Sequence, residues 1–120
     1  MLLLATRGMA ADGNPARAAY FKYCSACHGL DGRGHGPVAN SLQPPPSDLT
    51  QLARRNGGTF PVERVRTRID GRQQLAAHGP AAMPVWGTVF RDEPSWTTPA
   101  AHSDAQIRLI TDYLRALQGP

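Results

Sequence analysis

Glycine and proline interrupt this chain at 23 of its 120 positions, 12 and 11 respectively. Both residues oppose helix propagation, glycine through backbone entropy and proline through its missing N–H and steric clash. Long continuous helices are therefore excluded over most of the sequence. Two stretches carry the densest punctuation. Residues 29–46 hold Gly29, Gly32, Gly34, Gly36, Pro37 and the run Pro44-Pro45-Pro46, and residues 72–101 hold Pro80, Pro84, Pro94 and Pro99. A loop as long as the first is unusual in a compact domain unless it wraps something. Aromatic residues are only 7% of the chain, so a domain of this size has little with which to fill its own centre. A metal, a disulfide or a cofactor is expected to supply the missing core.

Between the punctuated stretches, helices are readable. Asn14 followed by Pro15 predicts a helix start, with asparagine as cap and proline at the first helical position. That helix runs through Ala18, Ala19, Phe21 and Lys22 to the cysteines, and Gly29 stops it. Ser47 is read as the cap of a short helix over 48–55, ended by Asn56-Gly57-Gly58. Pro61 opens another, with Val62, Val65 and Ile69 at helical spacing and Gly71 at its end. Residues 72–101 read as mostly loop. Ser103 and Gln106 predict a capping box for a last helix that places Ile107, Ile110, Tyr113, Leu114 and Leu117 on one face. No segment alternates like a strand. The expected class is all-α, about four short helices joined by long loops, with residues 11–120 as one domain. Residues 1–10 are read as the remnant of an export signal whose start is missing, or as a disordered leader. No stretch is long and apolar enough to span a membrane.

The formal net charge is +4, and twelve of the thirteen basic residues are arginine. They are scattered, except for Arg64, Arg66 and Arg68, and are not interleaved with aromatics as in a nucleic-acid binder. Such a run is ordinarily a solvated face; its functional reading is docking to an acidic partner. Gly34-x-Gly36-x-x-Ala39 formally matches a dinucleotide fingerprint, but no strand precedes it.

Cys24-Ser25-Ala26-Cys27-His28 is the sequence's strongest chemical signal. Two thiols one helical turn apart can each form a thioether with one vinyl group on the same porphyrin edge, and the following imidazole then turns toward iron. The pattern C-x-x-C-H reads as c-type haem attachment with His28 as proximal ligand. Competing readings are weaker. A thioredoxin-like pair belongs at a helix N-terminus after a strand. A structural zinc site needs four ligands. A simple disulfide or two free thiols remain open. A distal ligand is sought among Met1, Met9 and Met83. The first two lie in the leader, whereas Met83, 55 positions after His28, is followed by a proline that extends the backbone. Of the other histidines, His35 lies in the glycine loop, His78 is read as a hydrogen-bonding or exposed residue near Met83, and His102 as a surface residue. Trp86 and Trp96 are read as packing in the core or at the haem edge. Either indole, or Arg72, is a candidate for a propionate contact. No catalytic pair or triad stands out.

With these residues in place, the sequence resembles the class I monohaem cytochromes c over most of 14–118. Met83-Pro84-Val85-Trp86-Gly87 resembles that family's distal-ligand loop, Tyr113-Leu114-Arg115-Ala116-Leu117 its terminal helix, and Asp31-Gly32-Arg33-Gly34-His35-Gly36-Pro37 the loop after its haem motif. The resemblance implies one haem c, with iron, held through Cys24 and Cys27 and ligated by His28 and Met83. It also implies that the Pro37 carbonyl accepts a bond from His28 Nδ1, and that the first and last helices cross, packing Tyr20 and Phe21 against Ile110 and Leu114. The implied function is outer-sphere electron transfer between redox partners such as a dehydrogenase, reductase or oxidase in a bacterial periplasm, without bond chemistry. The chain would be a monomer or a subunit of a larger complex. The alternative is a five-coordinate haem enzyme or gas sensor in which Met83 is not a ligand.

Overall fold

A computed structural model of the chain describes residues 13–73 and 82–120. The described residues contain helices and turns but no strand, so the expected all-α class holds. Helix α1 spans Pro15–Tyr23 and α2 spans Ser25–His28. Asn14 caps α1 as the sequence predicts: its side-chain oxygen accepts from the backbone N–H of Ala16 at 3.0 Å and Arg17 at 3.3 Å. The expected single helix through the cysteines is interrupted only at Cys24. The His28 N–H still reaches the Cys24 carbonyl at 2.9 Å.

Helix α3, Val62–Asp70, starts after Pro61 and ends at Gly71, as read from the sequence. The helix expected over 48–55 is instead a pair of 3₁₀ turns, Leu49–Gln51 and Arg54–Asn56. Its cap is Asp48, not Ser47. The Asp48 carboxylate accepts from both the backbone N–H and the hydroxyl of Thr50, at 2.8 and 2.7 Å.

The stretch 72–101 is not simply loop. Helix α4, Trp86–Asp92, lies within it. Pro84 and Pro94 fall outside its two ends, so they bound the helix rather than break it. Helix α5, Pro99–Ala116, also begins four residues before the expected capping box. Thr98 is its cap, with Oγ1 accepting from the Ala101 N–H at 3.2 Å, and Pro99 takes the first helical position. Ser103 is almost fully buried inside the helix, where its hydroxyl donates to the Gly87 carbonyl at 3.3 Å.

The core forms where α1, α3 and α4 converge on α5. Ile107, Ile110 and Leu114 of α5 share one face with helical spacing and are buried with Ala19, Tyr20, Val65, Ile69 and Phe90. Tyr20 and Phe90 are fully inaccessible, each contributing about 2–3 kcal/mol of apolar burial. The Tyr20 and Tyr113 rings lie 4.8 Å apart between centroids, and Phe21 meets Tyr113 edge-on at 6.3 Å. The first and last helices therefore pack as the sequence resemblance implied. Gly87 permits the approach of α3 to α4: a Cβ there would lie 2.8 Å from Asp70 Cγ. Trp96, expected in the core or at a haem edge, is instead 99% exposed in the loop before α5.

Candidate haem-binding site

The turn that ends α1 and forms α2 puts Cys24, Cys27 and His28 on one short segment. Cys24 faces the core and is 6% exposed, while Cys27 and His28 are half-buried. Cys24 and Cys27 are not joined to each other in a disulfide. Burial, with a smaller contribution from neighbouring Cys27, pushes the Cys24 thiol up to about 12. A redox-active C-x-x-C pair needs the opposite shift, toward thiolate. A buried Cys24 instead suits an uncharged sulfur. Among the described residues, no three His, Cys, Asp or Glu side chains gather as a metal cage.

His28 Nδ1 lies 2.9 Å from the Ser47 backbone carbonyl. A carbonyl only accepts, so Nδ1 is the donor, and in the neutral imidazole Nε2 is then the nitrogen with the lone pair. This is the tautomer of a metal-ligating histidine, with the second nitrogen anchored to a backbone acceptor. The acceptor differs from the expected one: it is Ser47, not Pro37. The backbone explains the change. The Gly36 N–H bonds the Cys27 carbonyl at 3.0 Å and the Val38 N–H bonds the Ala26 carbonyl at 3.1 Å, which fixes Pro37 alongside α2 and leaves it exposed. The chain then returns past the proline run, and the Leu49 N–H bonds the Gly32 carbonyl at 2.7 Å. That return brings residue 47 to the imidazole. No sequence signal marks a backbone carbonyl, so this residue could not be named in advance.

Gly36 is indispensable to this arrangement. A Cβ there would sit 2.6 Å from both the Ser25 carbonyl oxygen and the Ala26 carbonyl carbon. The loop can lie against α2 only because residue 36 has no side chain.

Met83 is half-buried against the core cluster that includes Cys24, in the bend that precedes α4. His78 lies outside the described residues. His35 is exposed. His102 is not the free surface histidine expected from sequence: its Nε2 lies 3.2 Å from Glu93 Oε2, and its side chain is only 17% exposed. Arg72 is held in a two-point fork by Asp70, with Nε–Oδ1 at 2.6 Å and Nη2–Oδ2 at 3.0 Å. Its guanidinium holds the Asp70 carboxyl below the ordinary value, chiefly by hydrogen bonding. The arginine run divides: Arg66 pairs with Asp104 at 2.6 Å, whereas Arg64 donates to Asn56 at 3.0 Å.

Two exposed apolar side chains flank the motif. Among the described residues, four large apolar side chains are exposed, and two of them, Leu30 and Val38, border α2. Leu30 follows the motif directly, and the Val38 backbone is bonded to Ala26. Two thiols, an oriented imidazole with a free Nε2, and flanking apolar side chains are the donor set that a covalently held porphyrin requires.

The model of the family described as cytochrome C oxidase, cbb3-type, subunit III, matches residues 11–114. The chain belongs to this family. It is thereby a c-type cytochrome domain of the monohaem class, with haem c and iron implied as its cofactor and electron transfer as its function. No curated protein and no solved structure matches the chain. No helix of this cytochrome domain, among the described residues, is long and apolar enough to cross a membrane.

Proposed function

We propose that this cytochrome domain carries one haem c, joined by thioethers to Cys24 and Cys27 and ligated by His28 Nε2 and Met83 Sδ. It passes single electrons between redox proteins, as a free shuttle or as the electron-transfer subunit of a complex. Its compartment is the periplasm or an equivalent exported space, and residues 11–120 are the functional domain. When bound, the haem supplies an iron that alternates between ferrous and ferric states.

The observation that carries this reading is the Ser47 carbonyl on His28 Nδ1. It fixes the imidazole plane and would present Nε2 as the donor to a haem iron. Met83 adds a neutral, polarizable sulfur that favours the less charged ferrous state and closes the position a substrate would need. A haem joined to the buried Cys24 would be shielded from water by the core that Cys24 packs in.

An absorbance spectrum and a haem-stained denaturing gel test the reading. The matured protein is expected to retain haem through denaturation and to show a ferric sulfur-to-iron band in the far red. Replacing both Cys24 and Cys27 by alanine is expected to abolish the stain, and Met83→Ala to abolish the band. A colourless protein would overturn haem binding. A high-spin ferric spectrum with rapid carbon monoxide or peroxide binding would instead assign an open iron site to an enzyme or sensor.

A further inference from the structure

The last residue of α1, Tyr23, is the residue before Cys24, and it makes three contacts along one face of α4 and the residue that caps its end. Its ring meets Trp86 at 5.3 Å and Phe90 at 4.8 Å, both edge-on, and its hydroxyl donates to Glu93 Oε1 at 2.9 Å. Positions 86, 90 and 93 are spaced i, i+4 and i+7, the spacing of a helix stripe. Trp86 and Phe90 also stack on each other at 5.5 Å. The second carboxylate oxygen of Glu93 meets His102 Nε2 of α5 at 3.2 Å. One phenol thus ties α4 to α1 at the cofactor-attachment cysteine, and one carboxylate extends the tie to α5.

Trp86 is the first residue of α4 and lies three positions after Met83. Between them, Pro84 restricts the backbone. Wherever α4 is placed along α1, Met83 follows. We propose that Tyr23 and Glu93, backed by His102, are positioning residues that set the register of α4 on α1 and hold the Met83 sulfur at the iron. The proposal rests on the Met83 ligation proposed above. A clamp on α4 is needed because α4 has only seven residues and no side-chain cap at its start, and so has little stability of its own. The hydroxyl adds direction that ring packing lacks: it fixes α4 along its axis, where a slide of one turn would leave the rings still in contact.

The test uses the matured, haem-containing protein and two readouts. The first is the affinity of added imidazole, which competes with the Met83 sulfur and is followed by loss of the far-red band. Tyr23→Phe removes one hydroxyl, and Glu93→Ala removes its acceptor. Each is expected to raise imidazole affinity about tenfold or more, the effect of losing one charge-assisted hydrogen bond. Glu93→Gln keeps an acceptor oxygen for Tyr23 and is expected to restore most of the wild-type affinity. Ile110→Val, which trims the core at α5 and leaves the clamp intact, serves as the control for general destabilisation. The second readout is amide hydrogen exchange over 86–93, expected to quicken in Tyr23→Phe more than in Ile110→Val.

Imidazole affinities within about twofold of wild type, or changes that track stability equally in Ile110→Val, would overturn the proposal. If the wild-type protein shows no far-red band, Met83 ligation itself fails and the sulfur-holding role fails with it. The exchange readout still reports whether α4 is registered by Tyr23, so the two failures are distinguishable.

Discussion

The two sides of the site are built from different kinds of contact. The segment 24–38, which presents His28, is tied by backbone bonds between near neighbours: His28 N–H to Cys24, Gly34 N–H to His28, Gly36 N–H to Cys27 and Val38 N–H to Ala26, all between 2.8 and 3.1 Å. The segment 83–93, which carries Met83, is held by side chains from distant parts of the sequence: Tyr23 on Trp86, Phe90 and Glu93, and Ser103 on the Gly87 carbonyl. Backbone bonding needs few particular side chains and resists local opening. A short helix held by remote side chains is released when any one of them is lost. The histidine side is therefore expected to be the rigid side, and the methionine side the yielding one.

Phe90→Ala should break the comparison most severely. Phe90 is fully buried and touches both Tyr23 and Trp86, so its removal leaves a cavity between α1 and α4 and costs about 3–5 kcal/mol. Chemical denaturation gives the magnitude. Amide exchange gives the location: α4 should lose protection while the amides of His28, Gly34 and Gly36 keep theirs. Equal loss on both sides would show that the two are one cooperative unit.

Gly36→Ala probes the histidine side in turn, through the backbone. The neighbours that crowd its Cβ are the Ser25 and Ala26 carbonyls, which cannot yield without pulling apart the bonds from Gly36 and Val38. A loss of about 3 kcal/mol is expected. Gly57→Ala supplies the contrast. Residue 57 has a left-handed φ of 66°, but nothing lies within 4 Å of its added Cβ, so only the conformational cost of about 1 kcal/mol applies. Similar losses in the two variants would refute the close-approach argument.

The same contrast explains what could be read from sequence. Asn14-Pro15, Pro61 to Gly71 and the five-residue haem motif are local signals, and the structure bears out the helices they predict. The Ile107, Ile110, Leu114 face was legible because helical spacing encodes it directly. Helix α4 was not, because the prolines at 84 and 94 look like interruptions until the helix between them is seen to need tertiary support. Ser47 was not, because its part is played by a carbonyl placed through long-range chain return. Tyr23, Glu93 and His102 are 70 and 9 positions apart along the chain, and no periodicity connects them.

The start of α5 converts one misreading into a measurement. Thr98→Ala removes the hydroxyl that caps Ala101 and should cost about 1 kcal/mol, as should Asn14→Ala at the start of α1. Thermal melts of the two variants should shift alike. Ser103→Ala in the same experiment should not behave as a cap variant: it removes the bond to Gly87, so its effect should appear in α4 exchange as well as in α5.

Acid should separate the two sides with the smallest effect of all. The Asp70 carboxyl is held below its ordinary value of 3.8, first by hydrogen bonds from Arg72 and against the opposing effect of partial burial. A carboxyl depressed in the folded state contributes stability that is complete above its unfolded value and lost as pH falls through its folded value. Protonation of Asp70 thus weakens the fold only below about pH 4, and because Arg72 is well exposed the contribution is under about 1 kcal/mol. Asp70 lies directly against Gly87, so this loss falls on α4. Asp48, beside Ser47, is depressed mainly by bonds from Thr50 within its own turn, so its protonation loosens that turn alone. On acidification, α4 amides should lose protection before those of 28–38, and Asp70→Asn should flatten the decline in melting temperature below about pH 4. If the 28–38 amides open first, the backbone-bonded side is the weaker one and the division between the two sides is wrong.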